Sequence, residues 1–307
     1  MHRHQAGLFA EGTIAHQHLE LRLRPGVDPD DLGPAVSQVR LGNANRRANG
    51  GAHAVLGFGP ELWAGMAGDR APAGLRPFPG YGSPDGAHAP ATQRDLWIWA
   101  HGPTPDSVFD VARAAADQLA PVAEVVTDQP SWVYRDSRDL SGFIDGTVNP
   151  ILERAPIVAL VPDGEPGTGG AHAMTMRWVH DLDSFSARPL EEQEGIFGRT
   201  KSDSIELDPK PADSHVGRVE IETDDGELEI YRRSVAFGTT LERGLWFVAF
   251  AGDASRFDVM LRNMFGEGDD GLVDRLTTWT RPVTGSYWFC PSLEDLDAVC
   301  GPLPEQE

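Results

Sequence analysis

HLELRLR, residues 18–24, alternates apolar and polar side chains and reads as a half-buried strand. DPDDLGPAVSQVRL (28–41) follows it with the Asp-rich opening of a helix. HAVLGFGPEL (53–62) and DLWIWAHG (95–102) are apolar enough for buried strands. DSVFDVARAAADQL (106–119) then sets Val108, Val111, Ala112, Ala115 and Leu119 at helical spacing behind an Asp/Ser cap, and VAEVVT (122–127) closes as a strand. Strand, helix, two strands, helix, strand is the ferredoxin-like order.

The pattern recurs more loosely downstream. HAMTMRWVH (172–180), HVGRVEIET (215–223), LEIYRRSVAFG (228–238) and GLWFVAFAGD (244–253) read as strands. PLEEQEGIFGR (189–199) and SRFDVMLRNMF (255–265) read as helices, the second with Phe257, Met260, Leu261 and Met264 on one stripe. VDRLTTWT (273–280) adds a helical turn or two, and residues 149–156 and 162–170 supply linker and loop. The expectation is an α+β protein of two tandem ferredoxin-like units, 1–150 and 151–307, with antiparallel sheets packed together and helices outside.

Composition narrows the partners. A net charge of -21 over 307 residues lacks the basic footprint that nucleic acid requires. No apolar run reaches the roughly 18 residues of a membrane span, and MHRHQAGLFAEGTIAHQH has no export signature. Cys290 and Cys300 fit no metal or redox spacing, so the chain reads as cytoplasmic, with two reduced thiols. Zinc, calcium, P-loop, dinucleotide and nucleophile-elbow motifs are missing from the sequence.

Three places can carry chemistry. In SGFIDGTVNP (141–150), Gly142 and Gly146 flank Asp145; the pattern serves an ordinary turn as well as a close approach to a ligand. In LEIYRRSVAFG, a period of two puts Leu228, Ile230, Arg232 and Ser234 on the inward face. A guanidinium there needs a carboxylate, a cofactor acid group or a polar cavity, and a structural Arg–Asp pair answers that need equally well. Among ten histidines, His215 opens an apolar strand in DSHVGRVEI, as either a satisfied core residue or a metal ligand.

Eight motifs in order then tie the whole chain to one family. FPGYG (78–82), DLSGFIDGTVNP (139–150), GG…MRWVHDL (169–182), QEGIFGRTK (193–201), SHVGR (214–218), YRRSVAFGT (231–239), GLWFVAF (244–250) and RPVTGSYWFCPSL (281–293) resemble the dye-decolorizing peroxidases, most closely the bacterial B-type cytoplasmic subgroup. The resemblance implies a dimeric α/β-barrel type of fold and one haem b per chain. It further implies reduction of hydrogen peroxide through a ferryl intermediate, with dyes, phenolics or other small organic reductants oxidised. Carried over residue by residue, His215 becomes the iron ligand, Asp274 the acceptor of its other N–H, and Asp145 and Arg232 the pair facing peroxide. Ser234 stands where many relatives have Asn. Asn149, Arg199 and Lys201 fall near the haem carboxylates, and Phe247, Met260 and Met264 wall the pocket. Arg232 is expected to keep Asp145 ionised against the effect of burial. Relatives commonly assemble, so a homo-oligomer of two or more chains is expected. A haem carrier, or a protein that releases iron from haem, is the alternative that the same His215 would serve.

Overall fold

The computed structural model describes residues 2–83, 86–223 and 226–303. Eight antiparallel strands form its centre: β1 (Ala15–Leu23), β2 (His53–Phe58), β3 (Leu96–Gly102), β4 (Ala123–Trp132), β5 (Ala171–His180), β6 (Val235–Gly238), β7 (Arg243–Ala251) and β8 (Ser286–Cys290). Their hydrogen-bonded order is β7-β6-β4-β1-β3-β2-β8-β5, and β5 pairs again with β7, so the sheet closes into a barrel. Closure leaves none of these eight strands as a free edge. The two seams between the halves are thin, a single pair Ala236↔Trp132 between β6 and β4 and a single pair Phe289↔Phe58 between β8 and β2.

Period-two alternation sorts each strand's side chains to two faces. Inside the barrel lie Trp97, Trp99, Trp246, Phe250 and Trp288, packed with His16, His18 and His101. Outside, the first half is covered by α1 (Leu32–Gly50) and α2 (Pro105–Leu119). The predicted stripe of α2 is the buried one, Val108, Val111, Ala112, Ala115 and Leu119. Each fully buried large aliphatic chain there contributes about 1.5–3 kcal/mol. The outer face of β5 and β7 in the second half is covered by α4 (His215–Val219) and α5 (Ser255–Met264), after α3 (Leu190–Phe197). Phe257, Met260, Leu261 and Met264 are the buried residues of α5, as their spacing predicts.

Four local expectations are corrected. HVGRVEIET is not a strand: residues 215–219 form α4, because Ser214 caps it by accepting from the Gly217 N–H at 3.2 Å. A Cβ on Gly217 would lie 2.6 Å from the Pro211 carbonyl oxygen, so the cap tolerates only glycine there. HAVLGFGPEL is strand only to Phe58; Pro60 then opens a helix, Pro60–Ala67, as proline does at a first turn. LEIYRRSVAFG yields a two-residue strand, Tyr231–Arg232, and β6, both in unbroken register with β7. Finally, the N-cap of α2 is Thr104, with no side-chain cap bond, rather than the Asp or Ser that follow it.

Candidate active site

The wall of the site begins on β5. Met174, Met176, Trp178 and His180 alternate onto its outer face, Leu245 and Phe247 do so on β7, and Met260, Leu261 and Met264 come down from α5. Together they line a mainly apolar cleft enclosing about 1440 Å³, part of it continuous with solvent. Phe247, Met260 and Met264 therefore stand where the sequence places them. Alternation in HAMTMRWVH held the signal for the four β5 residues that sequence reasoning missed.

His215 enters the cleft from the first residue of α4. Its Nδ1 lies 2.7 Å from Oδ2 of Asp274, whose side chain is fully buried. The other Asp274 oxygen accepts from the Leu276 N–H at 2.8 Å, so the carboxylate is held on both sides. An Nδ1–H that donates to a carboxylate leaves Nε2 with its lone pair. That Nε2 has no hydrogen-bond partner among the described residues, and the side chain keeps 24% of its exposure, toward the cleft. Arg218, three residues on, clasps Asp270 through both terminal nitrogens at 2.7 and 2.9 Å and donates to the Asn263 carbonyl at 3.1 Å, tying α4 to α5.

Asp145 arrives on a tight loop. Gly146 sits at φ +80, the Asp145 N–H donates to the Ser137 carbonyl at 3.0 Å, and Asn149 N–H returns to Gly146 O at 2.9 Å. Asn149 then clamps the backbone of Arg232, accepting from its N–H at 2.8 Å and donating to its carbonyl at 3.0 Å. This reciprocal pair is what brings the Asp145 loop to the Arg232 strand. Both residues line the cleft and also a second, more polar cavity of about 1140 Å³ that reaches His16, Tyr134 and Ser234. Burial pushes the Asp145 carboxyl above its ordinary range; Arg232 pulls it down and Asp139 pushes it up again. Burial is the largest influence on this carboxyl, and Arg232 opposes it, in the sense expected from the sequence. Leu228, Ile230 and Arg232 line the cleft, but so do Glu227 and Glu229, because residues 228–230 form no strand and the period of two fails there; Ser234 lines only the second cavity and its Oγ accepts from Val248 N–H at 3.3 Å.

The remaining candidates divide. Arg199 lines the cleft and is bound to Glu206 at 2.5 Å and Glu220 at 2.9 Å. Neither Asn149 nor Lys201 lines it: Asn149 is committed to Arg232, and the Lys201 ammonium donates to Gln193 Oε1 at 2.7 Å and stands over the rings of Phe143 and Phe185. A second buried His–carboxylate pair went unread in the sequence. His180 Nε2 lies 2.9 Å from Asp139, its Nδ1 lies 2.6 Å from Thr280 Oγ1, and Asp139 lines the cleft beside Asp145. Burial works against the Asp139 carboxylate, but His180 and Ser141 hold its pKa below the ordinary range.

The cleft can hold a flat apolar ligand against Met174, Met176 and Met264 and offers a metal within it one neutral imidazole nitrogen backed by a carboxylate. Haem has those needs. Among the described residues no three His, Cys, Asp or Glu side chains gather as a metal cage, so a metal held by one protein ligand must bring its other ligands with it.

Known proteins resemble the chain in sequence and in fold. Residues 30–132 match the model of the Dyp-type peroxidase N-terminal domain, and 136–295 match that of the C-terminal domain. A dye-decolorizing peroxidase of Rhodococcus erythropolis is 34% identical over 273 residues, 87% of this chain and 80% of the relative. A Yersinia pestis protein named deferrochelatase is 26% identical over 183 residues, 49% of this chain and 41% of its own. Among solved structures, a putative Dyp-type peroxidase from Shewanella oneidensis superposes with a TM-score of 0.90 at 31% identity, covering 96% of this chain and 98% of that one. A DypB variant from Rhodococcus jostii in complex with haem gives 0.88 at 31% identity, again covering 96% and 98%.

Proposed function

Since the chain belongs to the Dyp-type peroxidase family and is a haem peroxidase, we propose that His215 is its iron ligand and that Asp145 and Arg232 activate hydrogen peroxide. One observation carries the assignment: a single cleft collects an imidazole with a carboxylate behind it and a free nitrogen in front, together with an acid–guanidinium pair. Bound there, haem supplies a redox-active iron that accepts oxidising equivalents from peroxide and passes them to a reductant.

The chain's own groups do the rest. Asp274 fixes the His215 tautomer and ring orientation and raises the basicity of Nε2. Asp145 takes a proton from one peroxide oxygen and returns it to the other, a service worth roughly 10²–10⁴ in rate. Burial raises its pKa, which strengthens it as the acceptor of the proton that it must then give back. Arg232 keeps its proton and stabilises the negative charge that grows on the departing oxygen. Asn149 positions Arg232, and Ser234 offers a hydroxyl to water in the second cavity. Arg199, which lines the cleft, is assigned to a haem carboxylate that would displace the exposed Glu206 from its Nη2; Lys201 supports the Phe143 wall from behind.

The acid–guanidinium pair favours this reading over haem carriage or iron release, because a carrier needs no proton shuttle, and the deferrochelatases match less of the chain at lower identity. The fold is read further as two ferredoxin-like units, 1–150 and 151–307. The orders β4-β1-β3-β2 and β8-β5-β7-β6 support this, each being fourth, first, third, second within its half. Residence in the cytoplasm is supported by two free buried thiols, and assembly into at least a dimer by the general prevalence of symmetric pairs. No described helix is long and apolar enough to cross a membrane. The deciding experiment is the visible spectrum of haemin-loaded protein before and after one equivalent of hydrogen peroxide. A histidine-ligated ferric spectrum that converts rapidly and returns on adding reductant is expected; slow bleaching or release of iron would move the assignment to haem handling.

A further inference from the structure

Asp139 and His180 line the cleft but have no part in the account above. Asp139 sits on the same hairpin as Asp145. Its N–H donates to the Phe143 carbonyl at 2.9 Å, Arg138 bridges to Ile144, and the Asp145 N–H donates to the Ser137 carbonyl at 3.0 Å. One Asp139 oxygen accepts from the Ser141 N–H at 2.7 Å, and the other faces His180 Nε2 at 2.9 Å. His180 ends β5, and its register partner is Thr280. Its Nδ1 lies 2.6 Å from Thr280 Oγ1, which is also 3.2 Å from the Val179 carbonyl oxygen. The side chains of His180 and Asp139 are 4% and 11% exposed, so water competes little for these bonds. Both ring nitrogens are engaged, which leaves none for a metal.

The ring can satisfy its bonds in two ways. A threonine hydroxyl has one proton to donate and lone pairs that accept. If it donates to Val179, Nδ1–H donates to Thr280 and Nε2–H to Asp139; the ring is then an imidazolium, and its pair with Asp139 is neutral overall. If the hydroxyl turns to Nδ1, the ring keeps only Nε2–H, and the pair carries one negative charge. One bond rotation and one proton separate the two arrangements, and neither leaves a ring nitrogen or Asp139 unpaired. Imidazole is the side chain that exchanges such a proton between about pH 5 and 8.

We propose that Asp139, His180 and Thr280 form a proton-holding switch that sets the charge Asp145 faces as peroxide arrives. The proposal rests on the peroxidase reading and makes all three positioning residues. Burial raises the proton affinity of Asp145 most, and Asp139, a like charge on the same hairpin, adds to it. As pH falls, His180 takes a proton, the pair becomes neutral, and the push from Asp139 is withdrawn. Asp145 then stays a carboxylate, able to receive the peroxide proton, further into acid than an unbalanced Asp139 would allow. Arg232 and His215 pull Asp145 downward in either state of the pair. Arg199, Glu220, Glu227 and Glu229 line the cleft without bonding to Asp139 or His180, and Lys201, behind Phe143, is committed to Gln193.

The test joins a pH profile to a spectrum of the ring itself. Rates of reaction of the haem-loaded enzyme with peroxide are measured across pH for the wild type and three variants. His180→Gln leaves Asp139 charged at every pH and should move the acid limb toward neutral. Thr280→Val removes the acceptor that the imidazolium needs and should move it the same way by less. Asp139→Asn removes the charge and should move it toward acid. A pair that only ties the hairpin to β5 would lower stability or rate without opposite displacements. Separately, histidine labelled with nitrogen-15 in the ring is followed by magnetic resonance in protein loaded with diamagnetic zinc protoporphyrin. One set of ring signals, missing in His180→Gln, should change from the neutral Nε2–H pattern to the imidazolium pattern as pH falls from about 8 to 5. A wild-type haem that does not respond to peroxide would overturn the peroxidase reading, and the proposal with it. A haem that responds, with Asp139→Asn and His180→Gln displacing the acid limb alike or not at all, or with a His180 ring that keeps one protonation state, would overturn the switch alone.

Discussion

Strands β5 and β7 separate the barrel interior from the cleft, and histidines on the two sides of that wall are treated in opposite ways. On the barrel side His16, His18 and His101 are stacked on one another and on Trp97, Trp99 and Trp246. Burial pushes all three well below the usual histidine range, and neither nitrogen of His18 has a partner. On the cleft side His215 and His180 are each backed by an aspartate, at 2.7 and 2.9 Å. Burial among apolar neighbours is therefore no mark of a ligand. A carboxylate behind the ring and open space before it are, because the first makes the imidazole basic and the second leaves room for a metal.

The sharpest way to break this comparison is to remove one histidine from each face. His215→Ala should abolish haem binding, read as loss of the Soret band on titration with haemin. His18→Ala should leave the band intact and lower stability by about 2–5 kcal/mol, as other large-to-small core changes do. Equal loss of haem in both variants would end the distinction. Next in size, Arg232→Leu should slow the reaction with peroxide by about 10²–10³, as loss of a preorganised charge-stabilising donor does. Asp145→Ala should cost no more than that. Rapid-mixing rates measure both, and a near-wild-type Arg232→Leu would remove Arg232 from its assigned role. Asp274→Asn keeps a hydrogen-bond acceptor but removes the charge behind His215, and should weaken haem retention by about 10–100-fold.

How much of this could be read from the sequence follows the physics of each signal. The helices α2 and α5 were legible because their buried stripes are pure functions of a 3.6-residue period. Residues 215–219 were not, since Val216 and Val219 favour a strand by composition and the deciding influence is a single hydroxyl, that of Ser214, with a glycine that fits against the Pro211 carbonyl. Closure of the sheet came from the family resemblance and not from periodicity, because each seam is a single residue pair between segments far apart in sequence. In the site, Asp145, Arg232 and His215 came from motifs, and the structure adds the reason they meet, which is the Asn149 clamp on the Arg232 backbone. Asp139 and His180 escaped because nothing local links residues 41 positions apart. The balance of forces on Asp145 escaped too, since a sequence names its charged neighbours but not how deeply they are buried.

The comparison also fixes how the protein should respond to acid, the smallest of the expected effects at neutral pH. His16 and His172 are both buried, and burial lowers each to about 4. An unfolded histidine titrates near 6.5. Between pH 6.5 and 4 the unfolded chain therefore binds more protons than the folded one at these sites, so stability falls as pH falls through that window and levels off below it. His18 and His101 are lowered in the same direction and extend the loss. Asp139 adds to it at still lower pH, because a carboxylate whose folded pKa is depressed loses its stabilisation as pH drops through that value. Glu20, which burial raises to about 7, and Asp145, raised in the same direction, work the other way as pH falls. The four lowered histidines outnumber them, so urea midpoints measured from pH 8 to pH 4 should decline mainly below pH 6.5. His18→Phe, which fills the same stack without a titrating nitrogen, should flatten part of that decline while leaving haem retention unchanged. A midpoint that holds constant down to pH 4 would mean that the barrel histidines take up protons without unfolding, through water reaching the interior, and the contrast between the two faces would then rest on the aspartates alone.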